Sequence, residues 1–216
     1  MQITKRARSQ EAKQERIRHI INASSDVLAV KNLNDFTLAD VVERTRLSKP
    51  AIYNYFPTKE EILLQIYREK LRCWVQDLSD EVTSTKHSVS KYEFDKRFVE
   101  SFYAQPLLVK LTPQLTSQLE QNITAQTYSN FKLETAKIME NFATLLISVG
   151  LSNQDNGLKT ALGYMTVLVG ALQISAPCPF PQNDLDKDVV SFLTMMDFQA
   201  NCLNGLSLLN NDQQSL

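Results

Sequence analysis

The chain has 216 residues, 43% hydrophobic and 22% charged, an ordinary globular composition with enough apolar material for a core. Five glycines and seven prolines favour helices over a turn-rich β fold, and the length allows one or two domains. Net charge is −1, but residues 1–60 carry 11 Lys and Arg against 7 Asp and Glu, while residues 61–216 carry 12 against 17. A positive front on a negative body suits docking one end on a polyanion, and a chance fluctuation of charge fits equally well. Cys73, Cys178 and Cys202 are widely spaced and odd in number, so they form neither a disulfide framework nor a metal-ligand set and read as reduced thiols. No run approaches the roughly 18 uncharged apolar residues of a membrane span. The most apolar run, Leu162 to Ala176, is too short and holds Gly and polar residues. The charged start Met1-Gln2-Ile3-Thr4-Lys5-Arg6 lacks the apolar core of a signal peptide, so a cytoplasmic location is expected, with no membrane partner.

The pattern predicts an all-α fold of about nine helices. Ile17, Ile20, Ile21, Ser24, Val27 and Leu28 form a helical stripe over Glu11 to Lys31, which Asn32 should end in the left-handed conformation. Lys5, Arg6, Arg8 and Lys13 precede that helix as a basic arm, either touching DNA or serving as a solvated tail. Thr37 caps a short helix, with Asp40 as its capping-box partner. Ser48 caps a second, with Pro50 in its first turn, and Pro57 ends it. Thr58-Lys59-Glu60-Glu61 is a capping box opening a long helix through Leu78. Thr83 to Ser90 reads as a loop. Further helices are expected near 91–104, 107–121, 125–149, 156–176 and 185–209, with Pro113 splitting the second and the tail after Asn210 polar.

Thr37 to Phe56 therefore encodes two short helices around a tight turn. Val41 and Val42 can pack on Leu47 and Ile52, leaving Lys49, Pro50, Ala51, Tyr53, Asn54 and Tyr55 outward. In a helix-turn-helix the second helix enters the major groove, and hydroxyl, amide and ammonium groups suit phosphates and base edges. Periodicity alone fits a plain helical hairpin as well.

The run Thr37-Leu38, Val41, Leu47-Ser48-Lys49-Pro50-Ala51-Ile52-Tyr53-Asn54-Tyr55-Phe56 and Lys59-Glu60-Glu61-Ile62-Leu63 resembles the signature of TetR-type regulators over roughly residues 12–65. The resemblance implies a three-helix head over residues 1–57 and a helical effector and dimerisation domain over 58–216. It implies that Thr37, Tyr53 and Lys59 hold phosphates and that Lys49, Pro50, Ala51 and Asn54 face base edges. Tyr55 suits either role, and Ser48 and Arg46 join the DNA-facing set. The amides at the helix start beside Lys59 complete a phosphate seat. Arg46 and Pro50 depart from glycines common in the family, and Arg46 is costly if its φ is positive.

Helices 156–176 and 185–209 are apolar nearly all round and must be covered on more than one side. A homodimer through a four-helix bundle follows, with Leu162, Val169, Leu172, Val189, Phe192, Leu193, Met196 and Leu203 at the interface. The family resemblance implies the same interface. It also implies an effector cavity, for which Tyr67, Trp74, Phe98, Phe102, Leu119, Tyr128, Phe131, Tyr164 and Met165 are candidate lining residues, suiting a hydrophobic or aromatic small molecule. The same stripes also fit plain core. The stretch from Gln105 through Glu120, Asn122, Phe131 and Lys132 resembles one subgroup's effector domain.

An enzyme is not expected: His19 and His87 stand apart from any metal-spaced cluster, no catalytic or nucleotide motif occurs, and no metal or cofactor is implied. A double-stranded operator, a second copy and an effector are the expected partners, and release of a repressor from a palindrome by that effector is the expected function. A helical interaction module, or an effector-independent DNA-binding protein, is the alternative.

Overall fold

The computed structural model describes residues 2–85 and 89–209, with side chains from Gln10 onward; His87 and the tail after Leu209 lie outside the described residues. Among the described residues the chain is helical with no strand. The helices are α1 (Gln2–Val30), α2 (Leu38–Thr45), α3 (Lys49–Tyr53), α4 (Lys59–Ser84), α5 (Lys91–Tyr103), α6 (Pro106–Leu111), α7 (Ala125–Ser148), α8 (Gly157–Ile174), α9 (Lys187–Thr194) and α10 (Phe198–Leu208).

Helices α1 to α3 form the head. Helix α4 leaves it and packs on α5, α6 and α7, while α7 packs on α8, and α10 lies against both α8 and α5. The body's centre is aromatic. Trp74 meets Phe102 edge-on at 5.0 Å and Phe98 at 5.3 Å, and Phe98 stacks on Phe142 at 5.4 Å. Such contacts add to the area each ring buries. Gly205 permits the close crossing of α10 over α8, because a Cβ there would stand 2.6 Å from Val167 Cγ1.

Several expectations need correction. The basic stretch does not precede the first helix but lies in it: the backbone is helical from Gln2, and the side chains of Lys5, Arg6 and Arg8 lie outside the described residues. Asn32 is extended (φ −68°, ψ 154°), since the chain continues into a 3-10 turn at Leu33–Asp35 instead of closing the helix. Pro113 splits the 107–121 segment as expected, leaving α6, a 3-10 turn at Thr112–Gln114 and a π-helical turn at Leu115–Leu119. The 185–209 segment is two helices. Asp197 accepts from the Ala200 amide at 2.8 Å and so starts α10 afresh, an N-cap that competes with continued helix. Glu61 does not close a capping box with Thr58. Thr58 accepts from the Glu61 amide, but the Glu61 carboxylate accepts from Thr127 on α7 at 3.2 Å. Finally, α8 is 18 residues long and apolar enough by length and composition to cross a membrane, which the 162–176 run alone did not suggest. It lies between α7 and α10, with Ala161, Tyr164, Leu168, Ala171 and Leu172 buried.

Candidate nucleic-acid interface

The head is built from local caps around a small core. The Thr37 hydroxyl and amide both donate to the Asp40 carboxylate, at 2.9 and 3.0 Å, and the Asp40 amide returns to the Thr37 hydroxyl. Lys31 adds an ion pair to Asp40 at 2.6 Å, and this hydrogen bond, more than any other influence, holds the Asp40 carboxyl below its ordinary range. Helix α2 ends at Thr45, whose buried hydroxyl donates to the Val41 carbonyl at 2.6 Å and accepts from the Leu47 amide at 3.3 Å. Between them Arg46 takes φ 57° and ψ 21°, the left-handed turn that a non-glycine residue adopts at some cost. His19 reaches the Thr45 carbonyl at 3.2 Å, tying α1 to the same turn.

The Ser48 hydroxyl accepts from the Ala51 amide at 3.4 Å and starts α3, with Pro50 in its first turn. Ile52 and Phe56 point inward and are buried with Val41, Phe36, Ile20 and Leu28. That anchors the opposite face outward. Lys49, Pro50, Tyr53 and Asn54 are exposed, Ala51 and Tyr55 half-buried. The Lys49 ammonium stands 5.8 Å from the centre of the Tyr53 ring, so an ammonium and a phenol share one ridge. Tyr55 packs against the core with part of its ring. The Lys59 ammonium donates to the Phe36 carbonyl at 3.3 Å, which holds it beside Thr37 where α2 and α4 both begin. Thr37, Lys59 and the amides of two helix starts thus lie at one edge of the head. Helix starts of this kind attract anions.

The family model for bacterial regulatory proteins of the tetR family matches residues 20–66, and the model for the tetracyclin repressor-like C-terminal domain matches residues 68–210. The chain belongs to the TetR family. It is a DNA-binding transcriptional regulator and not an enzyme. A crystal structure described as a TetR-family transcriptional regulator from Mesorhizobium loti superposes with a TM-score of 0.57 at 13% identity, over 91% of this chain and 97% of that one. A TerR/AcrR-family transcriptional regulator from Aquifex aeolicus aligns with a TM-score of 0.48 at 18% identity, over 89% of this chain and 98% of that one. At 13% identity the first likeness concerns the fold alone. No curated protein matches the sequence.

In this TetR-family chain the residues named for an effector cavity fall into two groups. Trp74, Phe98, Phe102 and Tyr164 pack ring on ring and are fully buried. Trp74 donates to the Ser101 hydroxyl at 3.0 Å, and Tyr164 donates to Asp95 at 2.6 Å. Asp95 also accepts from Lys91, whose ammonium reaches the Leu206 carbonyl near the end of α10 at 3.1 Å. Burial, and then the charge of Asp95, pushes the Cys202 thiol up to about 12. That thiol is unreactive at neutral pH. Met165 is half-buried on α8.

The second group gathers around the π turn. Tyr67 and Phe131 meet at 6.2 Å, Leu119 is buried, and Tyr128 is exposed. Burial pushes the Tyr67 phenol up to about 12, so it stays a neutral donor. Glu120 and Lys132, singled out in the sequence as part of a motif, form an ion pair of 2.6 Å. Asn122, next to them, takes a left-handed φ of 55°.

The interface candidates lie on a different surface. Leu162, Val189 and Phe192 are exposed, as are Leu158, Ile174 and Met195. Val169, Leu193, Met196 and Leu203 are half-buried. Leu172 instead faces the chain's own core and is only 6% exposed. Sequence reasoning missed Lys110. Its ammonium donates to the Leu28 carbonyl and, at 2.9 Å, to the Lys31 carbonyl, capping the C-terminal end of α1 from the body. A lone lysine on a short helix carries no pattern that would reveal this.

Proposed function

We propose that the chain acts in the cytoplasm as a homodimeric repressor, released from a palindromic operator by a hydrophobic or aromatic effector. The head spans residues 1–57 and the body 58–216. The observation that carries the reading is the bond from Lys110 to the last carbonyls of α1, seconded by Gln118 reaching Asn34 at 3.4 Å. Helix α6 and the π turn thus hold the head directly, and α4 runs from Lys59 beside Thr37 to Trp74 in the body core. Movement at Tyr67, Leu119 or Phe131 on effector binding shifts the same elements that set the spacing of two heads, by differential affinity for two conformations. An effector among Trp74, Phe98, Phe102 and Tyr164 would have to displace packed rings, which favours entry beside Tyr67, Phe131 and Tyr128.

Thr37, Tyr53 and Lys59 hold phosphates; Lys49, Pro50, Ala51 and Asn54 face base edges; Arg46 lies at the rim of the turn. Ser48 serves the interface through its cap, and Tyr55 divides itself between core and backbone. The dimer forms through Leu162, Val169, Val189, Phe192, Leu193, Met196 and Leu203. The exposed apolar side chains of Leu162, Val189 and Phe192 support this pairing. Fluorescence anisotropy with DNA from upstream of the chain's own coding region tests the reading. Tyr53→Ala and Lys59→Ala should weaken binding to all sequences and flatten its salt dependence, while Asn54→Ala relaxes specificity. Absence of binding at low salt would overturn it.

A further inference from the structure

The ion pair beside the π turn is unequal in its surroundings. The Glu120 side chain is 8% exposed, whereas the Lys132 side chain is 41% exposed. The Lys132 ammonium bonds Glu120 at 2.6 Å and stands 5.1 Å from the Tyr128 ring centre and 5.6 Å from that of Phe131. A nearly buried carboxylate and two aromatic rings, all within reach of one ammonium, form the kind of site that holds organic ammonium groups. Here the chain's own lysine occupies it. The backbone there is irregular: the Glu120 amide closes a π-type bond to the Leu115 carbonyl at 2.9 Å, and Asn122 follows with its left-handed φ. The Thr112 hydroxyl, near the buried Tyr67 phenol, is itself buried and lacks a well-formed partner among the described residues.

We propose that the effector is a lipophilic organic cation that displaces the Lys132 ammonium from Glu120 and from the faces of Tyr128 and Phe131. This deepens the repressor reading and rests on it. The sign of the charge follows from burial. A ligand cation that takes over Glu120 leaves Lys132 free to turn into the water it already touches. An anion that recruited Lys132 would strand the Glu120 carboxylate in a buried site without a counter-charge, and a neutral ligand would do the same if it pushed Lys132 aside. The body's own charge acts in the same direction, since residues 61–216 hold 12 Lys and Arg against 17 Asp and Glu and attract cations over longer range. Displacing Lys132 also frees the π turn, which Glu120 ends and whose Gln118 touches the head.

Calorimetry on the full chain tests this with three probes of similar size: benzyltrimethylammonium, its uncharged isostere neopentylbenzene, and phenylacetate. The cation should bind at least tenfold tighter than either of the others. Glu120→Gln should weaken it at least tenfold, and Tyr128→Leu several-fold. Lys132→Met should tighten it, because the competing ammonium is gone, an effect that a purely structural ion pair would not give. Tighter binding of phenylacetate, equal binding of the neutral probe, binding of none of the three, or weaker cation binding in Lys132→Met would overturn the proposal. Operator binding without probe separates the two levels. A chain that holds operator DNA yet ignores the cation overturns this inference alone; a chain that holds no DNA overturns the reading beneath it.

Discussion

In the head, Thr37 and Ser48 each hold a backbone amide three residues onward, and four buried side chains, Val41, Ile52, Phe56 and Phe36, follow from the same short stretch. Helices α9 and α10 are built the other way. Both are apolar, yet α9 has no buried residue and α10 buries Phe198, Cys202 and Leu206. Local hydrogen bonds settle the head's geometry, so its sequence pattern is specific. The C-terminal pair is settled by neighbours distant in the chain, among them Lys91, whose bond to Leu206 joins residues 115 apart. Apolar content alone does not say which face those neighbours cover.

Substitutions can break or sharpen this contrast. The largest effect is expected at Asp95, where Asp95→Ala removes the buried partner of Tyr164 and Lys91 and should cost about 3–5 kcal/mol in urea unfolding. An unchanged midpoint would show that the α5–α8–α10 junction does not depend on it. Next, Ile52→Ala, at a residue 1% exposed, should cost about 2–5 kcal/mol. Phe192→Asp, at a residue 58% exposed, should leave the fold of one subunit within about 0.5 kcal/mol while lowering the dimer fraction in sedimentation. If Phe192→Asp instead unfolds the chain, α9 belongs to the core. Ser48→Ala should cost about 1 kcal/mol through loss of the α3 cap. The smallest effect is a gain: Arg46→Gly relieves the left-handed turn and should stabilise the head by up to about 1 kcal/mol. If operator affinity falls in the same variant, Arg46 also touches the DNA backbone.

The head was legible because its signals are short in range. The capping pair Thr37 and Asp40, the cap at Ser48 and the inward positions Ile52 and Phe56 all lie within twenty residues of one another. Pro113 likewise marked its own break. The split at Met195–Asp197 was less visible, because a lone aspartate among apolar residues fits a helix interior until its cap is formed. The aromatic residues Trp74, Phe98 and Phe102 showed helical spacing but not how their rings meet; the structure packs Trp74 against both Phe98 and Phe102. Glu120 and Lys132 stood out as a pair of motif elements; that they pair, with the Glu120 side chain nearly buried, depends on how α7 folds back beside the π turn.

The sequence by itself determined that the described residues are helical, that Thr37 to Phe56 forms two short capped helices around a tight turn, and that Tyr53 and Asn54 face outward. These follow from period, caps and composition, which act within a few residues. Only the tertiary structure decided that Leu172 turns inward while Phe192 does not, that Lys110 clasps the end of α1, and that Lys132 rests on an aromatic corner over a buried carboxylate. Lys110 reaches carbonyls 82 and 79 residues away and Lys132 reaches Glu120 across the turn before α7, so the energy of each contact depends on burial and counter-charge that exist only once those segments have met.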